Sequence, residues 1–138
     1  MNANDVKAAL SLVGGLAIYW LGGWDVALKI LLFFMVVDYV TGVANAWYQG
    51  RLDSYVGLRG IVTKIGLLVA VAVAAQIDTM TGQPGAVRSI AVAFLAANEG
   101  LSVAENLTGI GVPLPNVIKN ALASWKAQDE PPKEGEKV

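Results

Sequence analysis

The sequence predicts an all-α membrane protein with about four transmembrane helices, a C-terminal amphipathic helix and a charged tail. Hydrophobic residues make up 55% of the 138 residues, and charged residues only 15%, whereas soluble domains carry about 25% charged residues. The apolar residues form stretches close to the roughly 20 residues that a helix needs to cross a bilayer. The period-two pattern of a membrane barrel is absent.

The four predicted spans are separated by segments rich in helix-breaking residues. They cover about residues 7–24, 26–48, 60–78 and 87–107. Glycines and a proline at 22–23, 50–57 and 81–85 mark the turns.

Two of these spans admit a second interpretation. The first could be a cleaved signal peptide, but it ends in Trp20 and Trp24 around two glycines, without a small-residue cleavage pattern. We therefore expect it to be retained, with the tryptophans at the membrane interface. The fourth contains glutamates and could instead be an interfacial or re-entrant helix.

The C-terminal part changes character after Pro115. Residues 116–127 predict a short amphipathic helix suited to the membrane surface, because apolar residues recur at helical spacing beside Lys119 and Trp125. Residues 128–138 are polar and densely charged, which predicts a disordered tail. Residues 1–127 would then form one transmembrane helical domain.

The basic residues predict the orientation. With four spans, eight of the ten lysines and arginines fall on the side of the termini and the middle loop, and Lys29 and Arg88 fall on the other. The positive-inside rule then places both termini and the middle loop in the cytoplasm.

Composition excludes several classes of function. The chain has no cysteine and no histidine, which removes thiol nucleophiles, histidine acid–base chemistry and Cys/His metal sites. A net charge of −1 gives no basic field for nucleic acid. No phosphate-binding loop or nucleophile elbow is present, so we expect no enzyme, catalytic residue, metal or cofactor.

Polar side chains within the second and fourth spans are the candidate functional residues. A carboxylate at bilayer depth is costly, so Asp38 and Glu99 are functional hypotheses by default. Other polar or small residues extend each of them into a stripe at helical spacing. The full set expected to line a pore or direct assembly is Asp38, Thr41, Gly42, Asn45, Asn98, Glu99, Ser102, Glu105 and Asn106.

Three explanations of these stripes remain open at the level of the sequence. Polar and small residues could simply hold helices together, since intramembrane hydrogen bonds contribute about 0.6–2 kcal/mol each. Several copies could enclose a water-filled lumen. Asp38 or Glu99 could instead couple protons to transport.

The middle loop carries a second group of charged residues. The residues expected to shape this cytoplasmic loop are Arg51, Asp53, Ser54, Arg59 and Lys64. Lys64 is expected near the end of the third span, with its stem reaching toward the headgroups. A plainer interpretation is a capped turn, with Asp53 or Ser54 as the N-cap and the arginines enforcing topology.

Five short motifs in order give the chain a family resemblance. They are Asp38-Tyr-Val-Thr-Gly, Gly50-Arg-Leu-Asp-Ser, Gly57-Leu-Arg-Gly, Asn98-Glu-Gly-Leu-Ser and Gly111-Val-Pro-Leu-Pro. Their order and spacing over about residues 30–122 resemble the bacteriophage holin family that also includes clostridial toxin-secretion holins. The first 28 residues carry no motif of this resemblance.

The resemblance implies a lysis protein of the host cytoplasmic membrane. Such a protein would associate with itself in the lipid bilayer and form lesions that release or activate an endolysin, or export a toxin. The endolysin would be a functional partner without direct binding, and an antiholin would be a further partner. Two alternatives from other classes are a small proton-coupled multidrug-type transporter and a scaffold subunit of a membrane complex.

Overall fold

The protein is a bundle of α-helices in the part of the chain that a computed structural model describes, residues 2–129. Within those residues, the all-α fold class is confirmed. The helices are α1 (Ala3–Trp20), α2 (Val26–Tyr48), α3 (Ser54–Thr81), α4 (Ala86–Gly109) and α5 (Asn116–Asp129). Of the predicted tail at residues 128–138, Gln128 and Asp129 belong to α5, and residues 130–138 lie outside the described residues.

Three helices are long and apolar enough to cross a membrane among the described residues. These segments are Val26–Tyr48, Gly57–Thr81 and Ala86–Gly109, so the second, third and fourth predicted spans are supported. The fourth helix is continuous, without the break that a re-entrant segment would need.

The first predicted span differs from the helix observed. α1 ends at Trp20 because the next glycines, Gly22 and Gly23, adopt positive φ angles of 81° and 114°. Its charge-free part, from Ala8 to Trp20, is then only about 20 Å long, short of a hydrocarbon core of about 30 Å. Four full spans are thus not established by length and composition.

The membrane-length helices α2, α3 and α4 form the core of the bundle. Short turns at residues 49–53 and 82–85 join them, so neighbours in sequence run antiparallel, and α2 runs parallel to α4. α2 packs along α4, and α3 packs mainly against α4. Leu31, Met35, Val71 and Val92 form the buried apolar cluster where the three helices meet.

α1 packs differently from the core helices. Its only substantial packing among the described helices is against α3, where the side-chain amide of Gln76 donates to the Trp20 carbonyl oxygen at 3.3 Å. None of its residues is buried. The exposed apolar side chains of α1, like Phe33 and Val69 on the core helices, form a surface suited to lipid or to another protein chain.

Glycines allow α3 to approach α2 closely. A Cβ on Gly60 would lie 3.3 Å from the Tyr39 ring, and a Cβ on Gly57 would lie 3.5 Å from the Tyr39 hydroxyl. These glycines lie inside α3, which begins six residues before the predicted start of the span. The motif glycines therefore provide a seat for an aromatic side chain, in addition to any role in a turn.

We expect Gly60→Val to lower the free energy of unfolding by about 1–3 kcal/mol, because the branched side chain overpacks the contact with Tyr39. Gly66→Val on the same helix is the matched control, since a Cβ on Gly66 would have no neighbouring atom within 4 Å. Unfolding in a mild detergent, followed by circular dichroism, measures both variants. Equal destabilisation by the two valines would contradict the proposed seat.

Candidate functional site

The centre of the bundle contains one lysine shared between two carboxylates. The Lys64 ammonium group on α3 forms ion pairs with Asp38 Oδ2 on α2 and with Glu99 Oε2 on α4. Exposed side-chain fractions are 16% for both Lys64 and Asp38 and 4% for Glu99. These three residues, here called the ion triad, connect all three membrane-length helices.

An asparagine on α4 completes the environment of Asp38. The Asn106 side-chain amide donates to Asp38 Oδ1 at 2.9 Å and to the Thr41 hydroxyl at 3.2 Å. It also lies against Gly42, where a Cβ would be 3.4 Å from the amide nitrogen. Each carboxylate oxygen of Asp38 thus has a donor from a different helix.

The ion triad lies near the middle of the membrane-length helices, which would place it close to the centre of a bilayer that they cross. At 1.5 Å per residue, Asp38 is about 18 Å from Val26 and about 15 Å from Tyr48. Glu99 is about 20 Å from Ala86 and about 15 Å from Gly109 by the same geometry. Pairing lowers the cost of charges at this depth, because each ion has an opposite charge in hydrogen-bond contact.

A polar groove of about 460 Å³ opens above the ion triad, at the end of the bundle where α2 ends and α3 begins. Ser102 and Glu105 of α4 form part of its wall, and Tyr39 and Arg59 line it from the other helices. The two polar stripes of the sequence therefore meet in one folded chain.

The remaining candidates of the predicted set occupy the margins of this site. Asn45 is hydrogen-bonded to Gln49 at 2.7 Å and packs against Gly109 of α4. Asn98 is half-buried and provides its backbone carbonyl to the Ser102 hydroxyl at 3.1 Å. Neither residue is part of the groove wall.

The predicted cytoplasmic loop is shorter in the structure than in the sequence analysis. Arg51 and Asp53 lie in the turn at residues 49–53, but α3 already begins at Ser54, so Arg59 and Lys64 are helical. The expectation that Lys64 reaches toward the headgroups was wrong. Its stem points to the bundle interior because the two buried carboxylates require a counter-charge.

A second buried cation holds the opposite end of the bundle together. The Arg88 guanidinium donates to the carbonyl oxygens of Leu21 at 2.5 Å and Gly23 at 3.2 Å, and to the Asp25 carboxylate at 2.6 Å. Asp78 accepts from the backbone N–H groups of Val87 and Arg88 at 2.9 and 2.8 Å, which caps α4. This arginine clamp, Arg88 with Leu21, Gly23 and Asp25, fixes the α1–α2 turn to the start of α4.

Sequence reasoning missed the clamp and the central role of Lys64. The sequence contained a signal in both cases, because Lys64 and Arg88 lie within predicted spans. A cation inside a span pairs mainly with acids of neighbouring spans or with backbone carbonyl groups, which would have predicted partners for both residues. Among the described residues, no group of three or more acidic, histidine or cysteine side chains is arranged to hold a metal ion.

Comparison with protein families identifies the chain. The model of the family described as "Bacteriophage holin family" matches residues 15–127. The chain belongs to the bacteriophage holin family. The match includes every residue of the ion triad, the polar groove and the arginine clamp.

Relatives of this holin-family chain come from phages and from bacteria. A probable holin of Bacillus phage phi105 is 40% identical over 95 residues, which are 69% of this chain and 70% of that protein. An uncharacterized protein of Listeria monocytogenes is 37% identical over 110 residues, covering 80% of this chain and 79% of its own length. A 14.9 kDa uncharacterized protein of Clostridium perfringens is 37% identical over 120 residues, with coverages of 86% and 91%. No solved structure matches the chain.

Family membership and three apolar helices make this chain a membrane protein of the holin family. These findings favour the holin interpretation over the transporter and the scaffold subunit that the sequence alone left open.

We expect Lys64→Met to be strongly destabilising, by about 3–5 kcal/mol, because it leaves two carboxylates buried without a cation. A triple variant with Asp38→Asn, Lys64→Met and Glu99→Gln should recover most of that loss, since it removes every charge of the ion triad. Unfolding in detergent measures the series, with Lys7→Met on the exposed face of α1 as control. If the triple variant were no more stable than Lys64→Met, the loss of stability in Lys64→Met would not be due to the unpaired carboxylates of the ion triad.

The clamp predicts a pH dependence at Asp25, which lies just outside the α2 span. The hydrogen bond from Arg88 holds the pKa of Asp25 below its ordinary value of 3.8. Because the folded-state pKa is the lower one, this contribution to stability is present above pH 3.8 and disappears as the pH falls through the folded-state pKa. Wild type should therefore exceed Asp25→Asn in unfolding temperature at neutral pH, and the difference should shrink below pH 3.8. A constant difference across that range would argue against the pairing.

Proposed function

We propose that this protein is a holin that associates with itself in the bacterial cytoplasmic membrane and forms lesions during host lysis. The lesions would release or activate a phage endolysin. If the protein that crosses the membrane is a toxin, the lesions would export that toxin. Support comes from family membership, the phage phi105 relative and the three apolar helices. The single observation that carries the mechanism is the ion triad in the middle of those helices.

The proposed arrangement has four spans, with both termini in the cytoplasm. α1 would cross as the shortest span, with Lys7 near one interface and Trp20 near the other. Its exposed apolar surface would then contact lipid or another copy. The groove and the turn at residues 49–53 would face the cytoplasm, and the arginine clamp would face the opposite side.

The proposed mechanism uses the same charged groups in two environments. In a dispersed copy, Lys64 and Asn106 satisfy Asp38 and Glu99 within one chain. Above a threshold density, the helices of several copies would separate from their own partners and repack around water. Hydration of Asp38, Glu99 and Lys64 in the lumen would replace the ion pairs lost and help hold the lesion open, because charged groups are costly only where water is excluded.

Residues outside the ion triad have supporting roles in this proposal. Thr41, Gly42 and Asn106 would position Asp38, and Ser102 and Glu105 would extend the wetted surface along α4. Endolysin would be a functional partner that passes through or is activated by the lesion without direct binding. An antiholin would act by delaying the repacking.

The test is inducible expression in bacteria, with and without a cytoplasmic endolysin, following optical density and membrane potential together. We expect sudden depolarisation, with lysis only when the endolysin is present. The neutral triple variant Asp38→Asn, Lys64→Met, Glu99→Gln should accumulate in the membrane but depolarise it severalfold later or not at all, because its lumen carries no triad charges.

A control variant changes a charge away from the site, with Lys119→Gln at an exposed position of α5. Unchanged timing in the triple variant would refute the hydration mechanism while leaving the holin assignment intact. Continued growth of the wild type with an intact potential would refute the holin assignment itself.

A further inference from the structure

The polar groove reaches from one end of the bundle to the ion triad. Its volume of about 460 Å³ lies between α2, α3 and α4. Asp38 and Lys64 form its floor, and their side chains keep 16% exposure through this opening. A space of this size holds many waters, since one water needs only about 10–15 Å³.

The wall of the groove combines apolar surface with a concentration of polar and charged groups from all three membrane-length helices. Thr63, Ser102 and Asn106 provide hydroxyl and amide groups, and Arg59 and Glu105 provide charges. Counting Glu99 below the floor, three carboxylates oppose two cations, so the formal charge of the groove and ion triad is −1. Lipid tails cannot satisfy such a wall.

The opposite side of the ion triad is closed. Leu31, Met35, Val71 and Val92 lie between the triad and the arginine clamp, with exposures from 0% to 4%. These four side chains are apolar and offer no hydrogen-bonding group to a chain of water molecules. Beyond it, Arg88 is itself buried with its donors occupied by Leu21, Gly23 and Asp25.

We propose that each folded copy contains a one-sided aqueous vestibule, which admits water and small cations to the ion triad from the side of the α2–α3 turn. The vestibule belongs to the closed, single copy and does not require a lesion. Its chemistry selects small cations over small anions, because the formal charge of the groove and ion triad together is −1.

The chain suits a direct test because it has no cysteine. Single-cysteine variants of full-length protein are expressed in membrane vesicles of both orientations, at a level at which the potential stays intact. They are then treated with a membrane-impermeant maleimide. Ser102→Cys replaces a groove-wall residue one turn from Glu99 with a side chain of nearly the same shape.

We expect Ser102→Cys to react only in the orientation that exposes the α2–α3 turn. Ser89→Cys, exposed at the other end of α4, should react only in the opposite orientation. Ala104→Cys, buried on the same helix at 8% exposure, should react in neither. The three positions report sidedness, access and burial on one helix.

A second measurement tests the selectivity. A thiol reagent carrying a trimethylammonium group should modify Ser102→Cys about tenfold faster than one carrying a sulfonate, the lower end of the effect of a charged cleft on local ion concentration. Adding Glu105→Gln should reduce that ratio.

Several outcomes would overturn the vestibule. Failure of Ser102→Cys to react in either orientation would show that lipid or a second copy fills the groove. Reaction from both sides with an intact potential would show a continuous path, and equal rates for the two reagents would remove cation selectivity. The lysis assay is independent of all three results, so failure of the vestibule and failure of the holin assignment are distinguishable.

Discussion

The bundle depends on one lysine that pairs with two carboxylates near the middle of three membrane-length helices. Each of the three membrane-length helices contributes one member of the ion triad, so none of them can shift along its neighbours without leaving a charge unpaired. The apolar cluster beneath the triad carries no charge, so a shift of the helices would cost it packing contacts but would leave no ion unpaired. The ion triad therefore fixes how the three helices align with one another, and the apolar side chains fill the space between them.

The same geometry explains why the two ends of the molecule differ. At one end, Arg88 uses backbone carbonyls and Asp25 to join two turns, and Asp78 satisfies the first amides of α4. At the other end, the polar groove lies between the three helices, while Asn45 of α2 still packs against Gly109 of α4. Under the proposed mechanism, we expect opening to begin at the end that contains the groove.

Much of the fold could be predicted from the sequence, since long apolar stretches and glycine-containing turns have a direct physical meaning. α2 begins and ends at the predicted residues, Val26 and Tyr48. α4, from Ala86 to Gly109, begins one residue earlier and ends two residues later than predicted. The end of the first span was placed four residues too late, because hydropathy continues through Leu21 and Trp24, although the backbone turns at the two glycines that marked a turn in the sequence. The start of α3 was placed too late because residues 50–57 were assigned to a turn, although Gly57 lies within the helix and packs against Tyr39.

The candidate site was predicted in its residues but not in its connections. Asp38, Glu99, Ser102 and Asn106 stand out because polar groups are expensive within apolar stretches. Helical spacing assigns a side chain to a face of its own helix, but it does not say which neighbouring helix covers that face. Lys64 was consequently assigned to the membrane surface, and only the packing of α3 against α2 and α4 shows that it points inward.

A buried ion pair is a weak source of stability, since the cost of removing charges from water nearly cancels their attraction. An apolar trio at positions 38, 64 and 99 would hold three helices together at least as well, but it would give them no affinity for water. In the proposed mechanism, the ion triad is nearly balanced between a paired state within one chain, reached by water from one side only, and a fully hydrated state among several chains. That balance is what a protein needs if it must stay harmless in a membrane while it accumulates, and then change state abruptly when neighbouring copies become numerous enough to share a wetted surface.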